Sequence, residues 1–277
     1  MLKIDQYEIN GVACPYDLST ENHALDLEAE YFKFQDLCLK YFNQKMSLKP
    51  NLLSTVFDKL AHDKNVLKLV KQAIGDDIYI WSSAFFFKAP GDGKIVSYHQ
   101  DNPYWQLTTN KVVTAWIALT KSDKNSGALE VVPKSYKLGL IKKLDVENPR
   151  KSYLNGEKTT PEDDLLSYNQ NLDQFIIDNP PIVLDLNPGQ FSLHHVNTVH
   201  GSGPNVSSKN RIGFAVRYIS SDTRHEYEDS DSGVHVSGKK NSYFINENRP
   251  QTDFGNDEIK NFETAMGSAG AFGNKKY

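Results

Sequence analysis

Between Asp77 and Ser220 the chain is cut into short aromatic and β-branched segments separated by turn signals, and this rhythm restricts the fold more than any other feature of the sequence. Ile78-Tyr79-Ile80-Trp81 and Ala84-Phe85-Phe86-Phe87-Lys88 stop at the turn Pro90-Gly91-Asp92-Gly93. Val112 to Leu119 follows, then a turn from Asp123 to Gly127, then Ala128 to Val132 closed by Pro133. Ile182 to Leu186 runs through Asn187-Pro188-Gly189 into Phe191, Leu193 and His195. Arg211 to Ser220 alternates Ile212, Phe214, Val216 and Tyr218 against Gly213, Ala215, Arg217 and Ile219. Strands this short, with turns this frequent, belong in sandwiches or barrels, where half-apolar faces close on one another.

Helices come first in the chain. Leu25, Leu27, Tyr31, Phe34, Leu37, Cys38, Tyr41 and Phe42 recur at spacings of three and four, which predicts an amphipathic helix over residues 24–45. A second helix is expected over 51–74, ended by Gly75 as a C-terminal cap. Residues 145–179 are polar and aperiodic apart from a short helix expected at 161–167, and an insertion of this length reads as a lid or a plain loop. From Asp222 onward the chain is polar, with glycines near its end, and is expected to be irregular. The expectation is therefore one unit over residues 1–277, mainly β with flanking helices: helices within 24–74, then a sheet core over about 77–220.

Composition removes several classes of function. The formal net charge is -4 with both signs interspersed, so no basic stripe invites nucleic acid, and a small molecule is the easier partner. Met1 to Gln6 lacks the apolar core of a signal peptide, and the apolar runs are too short to span a bilayer. A cytoplasmic protein without membrane contact is expected; the oligomeric state is not set by these features. Cys14 and Cys38 are far apart and follow no pairing or zinc pattern, and read as reduced thiols.

The candidate chemistry lies in Val96 to Trp105, where His99 and Asp101 stand two positions apart in a strand-like stretch. Side chains at i and i+2 of a strand share a face, and an imidazole with a carboxylate makes two thirds of the 2-His-1-carboxylate set that holds non-heme iron. Alone, a His-x-Asp pair is more often a hydrogen-bonded surface pair. His200 at a strand end changes the balance, because Ser202 follows it and Arg211 heads the next strand, and a guanidinium offers a fork of donors suited to a carboxylate.

The chain resembles the phytanoyl-CoA dioxygenase family of iron(II)/2-oxoglutarate oxygenases. The resemblance rests on Tyr98-His99-Gln100-Asp101, on Thr114 to Leu119, on Asn125 to Tyr136, and on His194-His195 and His200 to Asn205 leading to Arg211. It spans roughly 85–219 and includes the eleven-position step from His200 to Arg211. It implies a double-stranded β-helix, the cupin-like jelly roll, with His99, Asp101 and His200 as iron ligands. It also implies Arg211 and Ser202 on the distal carboxylate of 2-oxoglutarate, and Trp116 lining that pocket. Dioxygen would be consumed, succinate and carbon dioxide released, and a hydrogen abstracted from the substrate. Asp101 stands where related halogenases carry Gly or Ala, which implies hydroxylation over halogenation; desaturation, epoxidation and ring formation use the same ligands and stay open.

Only one of the adjacent His194 and His195 can face the iron, and both read as supporting or packing residues. Tyr104 and Trp105 are candidates for substrate contact; Phe85 and Phe87 are too, against an equal case for core packing. Arg217 and Arg224 are candidates for meeting an anionic group at the mouth, weighed against solvated surface charge, and Lys88 reads in the same way. The resulting expectation is hydroxylation of an unactivated carbon of a small polar metabolite, with natural-product tailoring of a cylindrospermopsin-type alkaloid preferred. Phosphonates, amino acids and compatible solutes are the alternative substrates, and a non-catalytic jelly-roll module binding a metal or small ligand is the alternative class.

Overall fold

Strand β9, Arg211–Ser220, is buried along its whole length, and its alternation divides the molecule. The computed structural model describes residues 3–141, 158 and 160–268. Ile212, Phe214, Val216 and Tyr218 point into a core shared with the helices, among Phe34, Phe57, Leu60 and Val70. The intervening residues turn to the other face, where Ala215 packs with Trp116, Leu129 and Val131. Period-two alternation thus gives one strand two buried faces.

Around β9 a seven-stranded sheet forms in the order β1-β7-β4-β9-β2-β10-β11. These are Val12–Asp17 (β1), Ile78–Lys88 (β2), Val112–Ala118 (β4), Gln190–His195 (β7), Asp231–Ser237 (β10) and Phe244–Asn246 (β11), besides β9. The second sheet has the order β3-β8-β5-β6, from Val96–His99 (β3), Glu130–Val131 (β5), Ile182–Val183 (β6) and His200–Ser202 (β8). Two sheets with helices packed on one outer face give the expected double-stranded β-helix, without a closed barrel.

The helical layer differs in detail from the periodicity. The first long helix covers Leu27–Phe42, entered through Asp26, whose carboxylate accepts from Ala29 N–H, and left at Asn43 in the left-handed region. The helix expected over 51–74 is two, Thr55–Ala61 and Lys64–Ile74, because Asp63 caps the second by accepting from Asn65 and Val66 N–H. The same carboxylate accepts from Ser19 N–H, Ser19 Oγ and Asn22 Nδ2, tying the break to the N-terminal segment. Gly75 ends the second helix as expected.

Three further differences concern the ends and the insertion. β1 was not anticipated; it is stabilised by pairing with β7 at the sheet edge. The stretch from Asp222, expected to be irregular, supplies β10, β11 and a helix over Asn256–Ser268, and Phe262 and Ala265 join the helix-side core. Fully buried Lys49 anchors this tail by pairing with Glu247, which also accepts from Ser232 Oγ. Within the insertion, 161–167 is bends and turns, and a short helix occurs instead at Asp173–Asp178. Of the insertion expected over 145–179 as a lid or a plain loop, residues 145–157 and 159 lie outside the described residues.

Cys14 and Cys38 are both free and buried, and burial pushes each thiol up to about 12. Among the described residues no helix is long and apolar enough to cross a membrane.

Phe57 joins the two layers, with its ring 4.7 Å from Phe85, 5.5 Å from Phe214 and 5.6 Å from Phe34. Phe57→Ala is expected to lower stability by about 3–5 kcal/mol; urea denaturation followed by circular dichroism measures it.

Candidate active site

His99 ends β3, His200 begins β8, and the register between the strands sets them directly opposite each other, with ring centroids 4.2 Å apart. Each ring is oriented in the same way. His99 Nδ1 lies 2.8 Å from the carbonyl of Ser97 and His200 Nδ1 lies 2.9 Å from that of Thr198. A carbonyl only accepts, so Nδ1 carries the proton and the Nε2 lone pair is left to point inward.

Asp101 reaches the pair by a different route from the one expected. β3 stops at His99, and Asp101 is the residue that opens the helical turn Asn102–Trp105. Its N–H donates to Val196 O at 3.0 Å, which fixes the turn against the segment after β7. Its Oδ1 then lies 3.5 Å from His99 Nε2 and 3.8 Å from His200 Nε2. The three ligand atoms all fall within 4.8 Å of one another. Burial acts to raise the Asp101 carboxyl, but His200 and His99 overrule it and hold the group well below the usual carboxylate range. Burial also pushes His200 down to about 4. An anionic carboxylate and neutral imidazole donors are the protonation states that a divalent metal requires.

Gln100, between the two ligands, is fully buried and turned the other way. Its Nε2 donates to Gly139 O at 2.8 Å and Asn197 O at 2.7 Å, and its Oε1 accepts from Ile141 N–H at 2.9 Å. Its own backbone exchanges hydrogen bonds with the Gln170 amide, at 3.1 and 2.7 Å. Gln100 and Gln170 thus brace the His-x-Asp segment against three other parts of the chain. Neither was foreseen, since one buried amide leaves no periodic trace in a sequence.

On the same side of β9, Arg211 lies beside a small cavity of about 40 Å³ bounded by Phe86, Val96, Trp116, Leu129 and Ser202. Its Nη1 donates to Phe86 O at 3.4 Å and its Nη2 to Ser202 Oγ at 3.5 Å, and Nε has no hydrogen-bond partner among the described residues. Burial lowers the guanidinium to about 10, so it remains charged at neutral pH. Trp116 lies 5.5 Å from it, at cation–π distance. Gly213 makes room for the indole: a Cβ there would fall 2.0 Å from Trp116 Cζ2. Lys88 pairs with Arg211 across the β2–β9 ladder and is fully buried. Its Nζ donates to Ser202 Oγ and Gly203 O, each at 2.6 Å, and to Ser202 O at 3.1 Å.

A larger cavity of about 470 Å³ opens on the other side of His99 and Asp101. Trp81, Phe86, Tyr104, Trp105 and Tyr168 supply much of its wall, Leu165 and Leu166 border it, and Arg217 reaches into it. The Trp105 and Trp81 rings meet edge to face at 5.4 Å.

A family model described as Phytanoyl-CoA dioxygenase (PhyH) matches residues 32–213, about two thirds of the sequence. The chain belongs to the phytanoyl-CoA dioxygenase family. Among individual relatives, a probable alpha-ketoglutarate-dependent hypophosphite dioxygenase of Stutzerimonas stutzeri is 28% identical over 173 residues, 62% of this chain and 56% of the relative. An ectoine dioxygenase of Streptomyces anulatus is 29% identical over 173 residues, 60% of this chain and 56% of the relative. The chain thus matches little more than half the length of these relatives. In fold it is similar to the non-heme monooxygenase ThoJ, with a TM-score of 0.76, 22% identity, and 96% and 95% of the two chains covered. EctD from S. alaskensis, solved with 2-oxoglutarate and 5-hydroxyectoine, superposes with a TM-score of 0.62 at 16% identity, covering 91% of this chain and 84% of EctD.

In this member of the phytanoyl-CoA dioxygenase family, His99, Asp101 and His200 stand together, as do Arg211, Ser202 and Trp116. Tyr104, Trp105 and Arg217 border the large cavity. Phe85 and Phe87 also touch it, yet their rings pack on Tyr31 at 5.0 and 5.7 Å, and Phe85 belongs to the helix-side core. Arg217 and Lys88 are not solvated surface charges: both sit on the inward face of a strand, where alternation buries them. Arg224 is exposed, against the Tyr243 ring. Of the adjacent histidines, His194 turns inward with Nε2 3.9 Å from Asp101 Oδ2, and His195 packs on the Tyr136 ring.

Burial, with Arg211 alongside, lowers the Lys88 ammonium to about 7. The folded state then binds fewer protons than the unfolded chain between pH 7 and the ordinary lysine value, and stability rises with pH across that window. Its slope has a ceiling of about 1.4 kcal/mol per pH unit for one proton. Lys88→Met is expected to flatten this slope, as measured by urea denaturation at pH 7 to 10.

Proposed function

We propose that the chain is an iron(II)- and 2-oxoglutarate-dependent oxygenase that hydroxylates an unactivated carbon of a small molecule, releasing succinate and carbon dioxide. The observation that carries this reading is the meeting of His99, Asp101 and His200 beside a buried guanidinium, Arg211, that has no carboxylate partner among the described residues. Two imidazoles and one carboxylate are the donor set of non-heme iron sites that keep coordination positions open. The residues fit the metal, and the orphaned Arg211 Nε beside its cavity fits one carboxylate of the co-substrate.

His99, Asp101 and His200 would hold iron(II), with Asp101 making hydroxylation the expected outcome. Arg211 and Ser202, with Lys88 behind them, would take the distal carboxylate of 2-oxoglutarate, and Trp116 would flank it. When bound, iron and co-substrate together activate dioxygen and supply the oxidant. The protein's own contribution is positional: carbonyl hydrogen bonds fix both imidazole tautomers, and Gln100 holds the turn that presents Asp101. Tyr104 and Trp105 would line the substrate space and exclude water from the reacting carbon. Phe85 and Phe87 would act as backing for that wall.

Natural-product tailoring, of the cylindrospermopsin alkaloid type, is the finer reading we favour over a compatible solute. Its support is the aromatic wall, which suits a flat or ring-bearing body better than a compact polar one.

Asp101→Ala is expected to lower iron affinity by at least about tenfold to a hundredfold and to abolish succinate formation. Arg211→Ala is expected to raise the 2-oxoglutarate requirement by about tenfold to a hundredfold, since a charge-assisted bond is lost and no ligand is removed. Anaerobic titration of the weak visible band that iron(II) and 2-oxoglutarate give together measures both. Absence of that band, with tight retention of zinc, would support the non-catalytic module.

A further inference from the structure

The register of the large sheet lines up four buried polar side chains that are incompletely satisfied. Ser82 of β2 faces Arg217 of β9, Arg217 faces Thr114 of β4, and Thr114 faces His194 of β7. Ser82 Oγ, Thr114 Oγ1, His194 Nδ1, and both Nε and Nη1 of Arg217 are buried without a hydrogen-bond partner among the described residues. Each such group costs about 1–3 kcal/mol, so a row of four strands carrying them marks a place where something polar binds.

The charge in the row is held in place. The Arg217 guanidinium lies 5.2 Å from the Trp105 ring and 6.0 Å from the Phe86 ring, and the residue is buried apart from the cavity it borders. The acid facing it is Asp101, whose carboxylate already serves His99 and His200. With iron(II) and a dianionic 2-oxoglutarate in place, Asp101 and Arg211 bring the sum of those four formal charges to zero even before Lys88 is counted; Arg217 adds a further positive charge, and Asp101 is the only acid among the described residues that line the cavity.

Resting on the oxygenase reading, we propose that Arg217 is the receptor for an oxyanion on the primary substrate, and that the substrate is an amphipathic acid. Its carboxylate or phosphonate meets Arg217, and its apolar body lies along Tyr104, Trp105 and Phe86, within reach of the His99–Asp101 side of the cavity. This refines the expectation of a merely polar metabolite. A planar guanidinium with two aromatic rings beside it gives a negative oxyacid a directional partner and gives a neutral amide little.

An oxyanion at this position has two sources, the substrate or the keto-acid end of 2-oxoglutarate, and the test separates them. Calorimetric titration of iron(II)-loaded protein, anaerobic and saturated with 2-oxoglutarate, compares ω-phenylalkyl carboxylates and phosphonates with the matching amides. At least one acid is expected to bind about tenfold or more tightly than its amide. Arg217→Gln should reduce that ratio to within about twofold, and Arg217→Lys should keep an intermediate value, with folding of both verified by circular dichroism; 2-oxoglutarate affinity should stay within about twofold in each. If no acid out-binds its amide, the proposal is overturned. It is equally overturned if Arg217→Gln weakens 2-oxoglutarate tenfold while leaving the acid-to-amide ratio alone, because the guanidinium then serves the co-substrate. The same titration on metal-free protein separates the two readings: an acid preference that depends on Arg217, in a protein that gives no visible band with iron(II) and 2-oxoglutarate, sustains the receptor and removes the oxygenase.

Discussion

Burial of charge on the inner face of one central strand is the constraint on which the rest of the structure depends. β9 carries Arg211 and Arg217 on the face turned to the second sheet and four large apolar residues on the face turned to the helices. A buried guanidinium is tolerated only where hydrogen bonds, aromatic faces or bound anions replace water. The helices that cover the outer face contribute the apolar burial that offsets this cost, and Phe57 and Phe85 are where the two layers touch.

The site itself is a sequence of orientations rather than of strong contacts. Carbonyls two residues back set both imidazole tautomers, a helical turn anchored on Val196 presents the carboxylate, and Gln100 ties that turn to neighbouring loops. Lys88 and Arg211 face each other across a ladder, where like charges repel, and the hydroxyl and carbonyls of the Ser202–Gly203 segment hold the lysine. That repulsion is a standing preference for an anion, and Ser202, which holds the lysine, is two residues from His200. Arg217 stands on the same inner face and borders the larger cavity with His99 and Asp101, so that face offers positive charge at two places.

Several elements were legible because their signals are local. Alternation identified β9, a continuous apolar run identified β4, turn residues bounded β5, and Gly75 marked a helix end. Other elements were not, for reasons that are equally physical. The break at Asp63 is a capping event inside an unbroken apolar period, so periodicity ran through it. β1 and β11 are sheet-edge strands and β10 is next to an edge, all three with weak patterns of their own and stabilised by the strands they pair with. The tail looked solvated because its key charge, Glu247, is polar in sequence but is buried against Lys49, 198 residues away. For Lys88 and Arg217 the sequence left surface charge, the general habit of lysine and arginine, standing beside an anion-binding role, and only their place on inward strand faces removes the surface reading.

By itself the sequence determined the chemistry available: a His-x-Asp, a distant histidine and an arginine eleven positions later, set in a mainly β chain with helices in front. Spacing along the chain is enough for that, because donor types and strand periods are properties of single segments. The tertiary structure alone decided which of these groups meet. The β3–β8 register brought His99 against His200, a helical turn delivered Asp101, and four aligned strands set Ser82, Arg217, Thr114 and His194 in one row. Pairing between strands far apart in sequence is a global choice, made by burial of both faces of β9 at once, and no single segment encodes it.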